Sequence, residues 1–181
     1  MVGLRVRGRF CYRGGVSDET PSAADSLTAI VRPDDVGSID AVVRAVYEAV
    51  SFTECRGPDG PRLAGLCGPH ARLGKVHEGG FEDMGVAEFV ERVNRRIAQT
   101  GLCSFVEREL YRRTEVFSGI AHVFTTYESR TGDGDGELLY RGINSIQLRH
   151  DGRRWWILTI LWTDEREDSP IPAAYLPRSA S

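Results

Sequence analysis

His122 is the side chain whose type best suits acid–base chemistry near neutral pH. It lies inside an apolar segment, between Ala121 and Val123. Because an unperturbed imidazole titrates at about pH 6.5, a histidine that faces an internal cavity can act as a general base. A partly buried histidine can equally be structural, so both alternatives stay open. Thr126 and Glu128 follow on the same strand face and can extend a polar row.

A second group of candidates combines polar atoms with apolar surroundings. Asn144, Ser145 and Gln147 interrupt an otherwise apolar segment. A buried amide or hydroxyl is costly unless it is hydrogen-bonded, so either a ligand or neighbouring strands and water must satisfy these groups. Aromatic residues with polar tips can line a pocket, although core packing or a dimer face explains them equally well. The predicted ligand pocket comprises Tyr111, Tyr127, Asn144, Gln147 and Trp162.

Other motifs predict neither a metal nor a cofactor. Cys67 and His70, with His77 nearby, lack a second ligand pair at the spacing of a zinc site. The glycine-rich turn at residues 132–136 is acidic and precedes no helix, so it is not a phosphate-binding loop. We therefore expect no metal and no cofactor.

Three helices are predicted in the first hundred residues. An apolar stripe from Ile39 to Val50 indicates a helix over residues 36–51, with Ser38 or Asp35 as its N-cap. A short second helix is expected near residues 63–67. A third stripe, between Val86 and Ile97, ends before Gly101, which can adopt the positive φ of a C-cap.

Four strands follow, rich in β-branched and aromatic residues, and the short turns between them predict an antiparallel meander. The last strand is apolar on both faces, so both should be covered, one by helices and the other by a second copy of the chain. We therefore predict a homodimer through the sheet. The predicted strands cover residues 105–116, 120–130, 138–149 and 154–163.

Composition sets the broad class. The 181 residues are 41% hydrophobic and 27% charged, with a net charge of −3, which fits one globular domain and offers no basic surface for nucleic acid. No segment reaches the length of a membrane span, so no membrane partner is expected. The four cysteines form no Cys-x-x-Cys pair, and we interpret them as reduced thiols in a cytoplasmic protein. The predicted divisions are a flexible extension (1–34), a domain (35–176) and a tail (177–181).

Several segments resemble the nuclear transport factor 2-like superfamily, which includes the SnoaL-like proteins. They are GIAHVF at 119–124, RGINSIQL at 141–148 and DGRRWWI at 151–157, together with residues 47–52 and 92–98. The resemblance covers residues 36–176 and matches a bacterial branch with no settled activity. It implies an α+β cone, in which three N-terminal helices pack on a curved antiparallel sheet around a cavity.

The resemblance implies two alternative functions. One is binding of a small hydrophobic molecule in a mostly apolar pocket, with cofactor-independent isomerisation, cyclisation or dehydration of a ring compound. In that case His122 is the candidate base and Asn144 orients the substrate. The other is a non-catalytic dimerisation or protein-interaction module whose cone is filled by side chains. Fold analogy alone does not choose between them.

Overall fold

The computed structural model describes residues 28–177, which form four α-helices and one six-stranded sheet. The extension predicted for residues 1–34 lies mostly outside the described residues, as does the end of the predicted tail. The division into 1–34, 35–176 and 177–181 stays a prediction. In chain order the elements are α1 (Pro33–Val36), α2 (Ile39–Val50), α3 (Gly60–Leu66), β1 (Cys67–His77), β2 (Gly80–Met84), α4 (Val86–Thr100), β3 (Val106–Phe117), β4 (Ile120–Arg130), β5 (Leu138–His150) and β6 (Trp155–Asp164).

The helices begin and end at residues that the sequence singles out. The Ser38 hydroxyl accepts a hydrogen bond of 3.1 Å from the Ala41 amide at the start of α2, as predicted for an N-cap. Val42, Val43 and Val46 on the predicted stripe are buried. Gly101 adopts φ 69° and ends α4, which confirms the predicted C-cap. The predicted helix over residues 36–51 is divided in the structure between α1 and α2.

Strands β1 and β2 are the main departure from the expected element list. The sequence of this region predicts a short helix near residues 63–67 and no strand, because glycine, proline and charged residues hide the strand pattern. In the structure β1 pairs antiparallel with β2 and parallel with β6. The sheet order is β2-β1-β6-β5-β4-β3. The last strand of the meander is therefore an interior strand of the sheet.

The predicted meander is confirmed. Strands β3 to β6 pair antiparallel in succession, with irregular register at one point in each pair. Residues that are direct partners share a face of the sheet. The concave face packs against α2, α3 and α4 and carries the core, which includes Val123, Ile146 and Ile160. This arrangement is the predicted α+β class with a curved, open sheet.

The opposite, outer face of the sheet is only partly covered. Leu161 is 40% exposed and Phe81 is 56% exposed on this face. The segment after β6 crosses part of it: the Thr126 hydroxyl donates to the Tyr175 carbonyl at 2.5 Å, and the rings of Phe124 and Tyr175 lie 5.0 Å apart. The predicted homodimer would cover the rest and stays a prediction.

The cysteines correct one expectation. Cys55 and Cys103 form a disulfide, whereas the spacing of the four cysteines predicts reduced thiols. The scattered spacing hides this pair, because the two residues are 48 positions apart and meet only when the segment after α2 lies beside the segment before β3. Cys67 is a buried free thiol, and Cys11 lies outside the described residues. The disulfide removes the free-thiol argument for a cytoplasmic location, which stays a prediction.

None of the helices in residues 28–177 is long and apolar enough to cross a membrane.

Candidate functional site

A cavity of about 980 Å³ lies between the concave face of the sheet and helices α2, α3 and α4. Pockets that bind small molecules commonly have volumes of roughly 300–1,000 Å³. Much of the lining is apolar and includes Val46, Leu63, Leu73, Phe89, Ile160 and Trp162. A space of this size therefore lies between the sheet and the helices in the described residues.

Three of the predicted pocket residues line this cavity. Tyr127 on β4, Asn144 on β5 and Trp162 on β6 all face it. Asn144 and Trp162 are direct partners across the sheet, and the ring of Phe89 on α4 packs edge-on against Trp162 at 6.0 Å. The aromatic and amide side chains identified from the strand pattern therefore contribute to one site.

The prediction that His122 faces the cavity is wrong. It lies on the outer face of β4, because strand residues alternate between faces and the cavity receives Tyr127 from the opposite parity. Its Nε2 lies 3.0 Å from the Ser145 hydroxyl, which is also on the outer face. His122 and Asn144 are therefore on opposite sides of the sheet and cannot act together on one substrate.

Two further predicted pocket residues also lie outside the cavity. Gln147 is the direct partner of His122 on the outer face. Tyr111 pairs with Thr126, and the irregular register just before it places its side chain on that same face. Sequence periodicity identified the strands, but a one-residue irregularity decides which face a side chain occupies.

Glu107 is the cavity residue that sequence reasoning missed. It lies on β3, lines the cavity, and receives a hydrogen bond of 3.5 Å from the Asn144 amide. Burial raises the pKa of Glu107 to about 8, Asn144 opposes this change, and the Asp164 carboxylate adds to it. The alternating acids and arginines of β3 suggest a solvated strand, which conceals a carboxyl group on the inner face.

Tyr127 and Asp164 form a second polar unit in the cavity. The Tyr127 hydroxyl donates a hydrogen bond of 2.6 Å to Oδ1 of Asp164, and the Lys75 ammonium lies 2.7 Å from Oδ2 of the same carboxylate. Burial raises the pKa of the Tyr127 phenol, and the Glu107 carboxylate adds to the effect. Tyr127 therefore stays protonated, and Lys75 compensates the charge of Asp164.

Asn144 is held by a hydrogen-bonded chain that leads away from the cavity. The Thr125 hydroxyl lies 2.7 Å from Oε1 of Glu109 and 3.0 Å from the Tyr47 hydroxyl. When its single proton is donated to the carboxylate, Thr125 accepts from Tyr47. Tyr47 in turn accepts from the Asn144 amide at 3.3 Å. This series of hydrogen bonds fixes the orientation of the Asn144 amide, so that its second N–H points toward Glu107.

Solved structures with a similar fold come from several bacteria. A nuclear transport factor 2-like protein of unknown function from Pseudomonas putida is 13% identical, with 77% of this chain and 94% of that chain covered at a TM-score of 0.53. An uncharacterised protein with a cystatin-like fold from Caulobacter vibrioides is 15% identical, with coverage of 72% and 89% and a TM-score of 0.52. The chain has the nuclear transport factor 2-like fold. The resemblance proposed from the sequence is thereby confirmed at the level of the fold.

A third structure with the nuclear transport factor 2-like fold is a proposed dehydratase of that family from Streptomyces avermitilis. It is 19% identical, with 75% of this chain and 95% of that chain covered at a TM-score of 0.51. No family model and no curated protein matches the chain in sequence. Identities at this level support the fold of the present chain and do not transfer a function to it.

The chemistry of this nuclear transport factor 2-like cavity follows from its own residues. Within residues 28–177, no group of three or more histidine, cysteine or acidic side chains is arranged to hold a metal ion. Glu107 provides a carboxyl group whose pKa lies near neutral pH, which is the condition for efficient exchange of a proton with a bound molecule. Asn144 and Tyr127 provide amide and phenol groups that can orient that molecule.

Proposed function

We propose that the protein binds a small, mostly apolar molecule in the cavity and moves a proton on it, in a cofactor-independent isomerisation, cyclisation or dehydration of a hydrophobic ring compound. The observation that carries the proposal is the Glu107 carboxyl group, which lies in the cavity with a pKa raised to about 8 and a hydrogen bond from Asn144. Glu107 replaces His122 as the candidate acid–base group.

The proposed mechanism uses Glu107 in both protonation states. As a carboxylate it removes a proton from a carbon next to a carbonyl or similar group, and as a carboxylic acid it returns that proton to another position of the same molecule. No outside acid or base is consumed, so the atoms balance within one turnover of an isomerisation. The negative charge that develops on the substrate oxygen requires a donor. We assign this role to the Asn144 N–H that lies 3.5 Å from Glu107, which would turn from Glu107 to the substrate oxygen when the substrate binds.

The surroundings support this assignment physically. The apolar wall raises the energy of the ionised carboxylate, which makes Glu107 a stronger base than an exposed glutamate. Tyr127 is fixed on Asp164, and Lys75 compensates the Asp164 charge. Of the acidic strand residues that line the cavity, Glu82 and Asp164 form ion pairs, whereas Glu107 forms none with the described residues. The proposed dehydratase from Streptomyces avermitilis, of the same fold, is consistent with this class of reaction.

The experiment that tests the proposal is proton exchange in D₂O. A panel of cyclic ketones and cyclic unsaturated ketones is incubated with the protein, and NMR follows deuterium incorporation next to the carbonyl. We expect exchange above the buffer rate with the wild-type protein and its loss with Glu107→Gln. Glu115→Gln is the matched control, because Glu115 lies on the same strand but is exposed and paired with Arg113. Equal exchange by the wild-type and Glu107→Gln proteins would remove Glu107 from the mechanism.

Binding is tested separately by native mass spectrometry on protein purified gently from a bacterial host. A discrete extra mass identifies a retained molecule directly. The alternative from the sequence analysis, a module with a side-chain-filled cone, predicts no such mass, and the cavity of about 980 Å³ counts against it.

A further inference from the structure

Arg96 is a cationic side chain that lines the cavity, and contacts with Tyr140 hold it in place. It lies on α4, lines the cavity, and donates a hydrogen bond to the hydroxyl of Tyr140. Its guanidinium carbon lies 5.6 Å from the centre of the Tyr140 ring, and the Lys75 ammonium lies 5.5 Å from the same centre. A cation–π contact and a hydrogen bond together orient the guanidinium group.

The other cationic side chains nearby are paired with carboxylates. Lys75 pairs with Asp164 at 2.7 Å, Arg92 with Glu82 at 2.5 Å and Arg95 with Glu91 at 2.7 Å. Within residues 28–177, Arg96 has no carboxylate partner, and its hydrogen bond to Tyr140 uses one of five N–H donors. The remaining donors of Arg96 are available to a ligand.

The sheet register places Arg96 at a defined separation from Glu107. Ser129 on β4 is the direct partner of both Glu107 on β3 and Tyr140 on β5. These three residues form one row across the concave face. Because neighbouring strands are about 4.8 Å apart, the backbones at the two ends of the row are roughly 10 Å apart. Arg96 contacts Tyr140 at one end of this row, and Glu107 is the residue at the other end.

We infer that the molecule bound in this cavity is an apolar carboxylic acid, whose carboxylate is bound by Arg96 beside Tyr140 while its apolar body lies against Trp162 and Phe89. Guanidinium groups bind carboxylates through two parallel hydrogen bonds, which suits the free donors of Arg96. This inference rests on the proposed function, since it names the class of substrate whose reacting carbon would reach Glu107.

Isothermal titration calorimetry with the full chain at pH 7 tests the inference, using 2-naphthylacetate and its uncharged analogue 2-naphthylacetamide as probes. We expect the wild-type protein to bind the acid roughly tenfold more tightly than the amide, because the hydrogen bonds to the acid are charge-assisted. Arg96→Gln should reduce the affinity for the acid to that for the amide and leave amide binding unchanged. Arg44→Gln is the matched control, since Arg44 is an exposed arginine on α2 that is paired with Glu48 and does not line the cavity.

The outcomes distinguish the carboxylate-binding inference from the proton-transfer proposal. Equal affinities for acid and amide in the wild-type protein, or a preference for the acid that survives in Arg96→Gln, would overturn this inference and leave the proton-transfer proposal standing. Failure of the wild-type protein to bind either probe would overturn the inference together with the binding part of the proposed function. A preference for the acid in Glu107→Gln, combined with unchanged proton exchange in that variant, would support Arg96 and exclude Glu107 as the base.

Discussion

Gly142 lies directly opposite Tyr127 in the β4–β5 ladder, and its lack of a side chain makes room for the Tyr127 phenol to reach Asp164. A Cβ atom at Gly142 would lie 2.8 Å from Cζ of the Tyr127 ring and closer still to the Thr163 carbonyl oxygen. This close approach explains why glycine stands in the middle of a strand, where it is otherwise unfavourable. The hydrogen bond between Tyr127 and Asp164 therefore depends on a residue that contributes no side chain.

The first prediction concerns Gly142→Ala. The new methyl group must displace the Thr163 backbone or the Tyr127 ring, and overpacking of this kind costs about 1–3 kcal/mol. We expect that decrease in the free energy of unfolding, measured by urea denaturation. Gly37→Ala is the control, because Gly37 is exposed and a Cβ there would meet only an ordinary contact of 3.8 Å. Equal unfolding free energies of Gly142→Ala and wild type would show that the protein accommodates a methyl group at residue 142 without cost, which would contradict the close approach.

The second prediction is a pH dependence of stability caused by Glu107. Its pKa rises from 4.5 to about 8 on folding, so between these values the folded state binds more protons than the unfolded state. Stability from this group therefore falls as pH rises through this window. We expect the free energy of unfolding of the wild-type protein, relative to Glu107→Gln, to decrease between pH 4.5 and 8. A constant difference between the two proteins across this range would show that Glu107 titrates normally.

The third prediction concerns the rate of proton exchange on a bound ketone. A carboxylate must be ionised to remove a proton, so the rate at low substrate concentration should rise with pH and level off above a pKa of about 8. The measurement is kcat/KM from pH 5 to 9 by NMR in D₂O buffers. Glu115→Gln should reproduce the wild-type profile, because Glu115 is exposed. A profile that levels off near pH 4 to 5 would indicate a solvated carboxylate instead.

The fourth prediction concerns the disulfide. Cys55 and Cys103 join the segment after α2 to the segment that leads into β3, four residues before Glu107. Closing a loop of 48 residues stabilises a protein by roughly 4 kcal/mol in the chain-entropy estimate. We expect a double substitution to serine to lower the unfolding free energy by about 2–4 kcal/mol.

Peptide mapping without reductant provides the direct check on this pair. A cross-linked peptide that contains both Cys55 and Cys103 is the expected product. Free thiols at both positions in protein handled under air would contradict the structure, and serine substitutions with no effect on stability would contradict the energetic argument.

The fifth prediction is the homodimer through the outer face of the sheet. Phe81 and Leu161 are exposed there and lie side by side, because both would contact a Cβ atom at Gly74. Size-exclusion chromatography with light scattering should give twice the chain mass of 20.1 kDa. Leu161→Glu should produce a monomer, because a charge cannot be buried without a partner. Glu137→Gln is a conservative surface control, and a monomeric wild-type protein would refute the interface.

The sequence by itself determined the class of fold, the meander and the helix ends. Periodicity locates α2, α4 and the four strands from β3 to β6, because burial on one face repeats every 3.6 or 2 residues regardless of what lies opposite. Ser38 and Gly101 are equally local signals, since capping depends on the backbone of a single turn. The resemblance then led from these elements to the nuclear transport factor 2-like fold.

Tertiary structure alone decided the site. Whether His122 or Asn144 faces the cavity depends on strand register, which a single irregular residue reverses. The pKa of Glu107 depends on apolar neighbours from other elements, so its own strand of acids and arginines carries no sign of it. The disulfide and strands β1 and β2 likewise depend on contacts between distant segments. A pattern along the chain determines which residues form elements, whereas the packing of those elements determines which side chains meet.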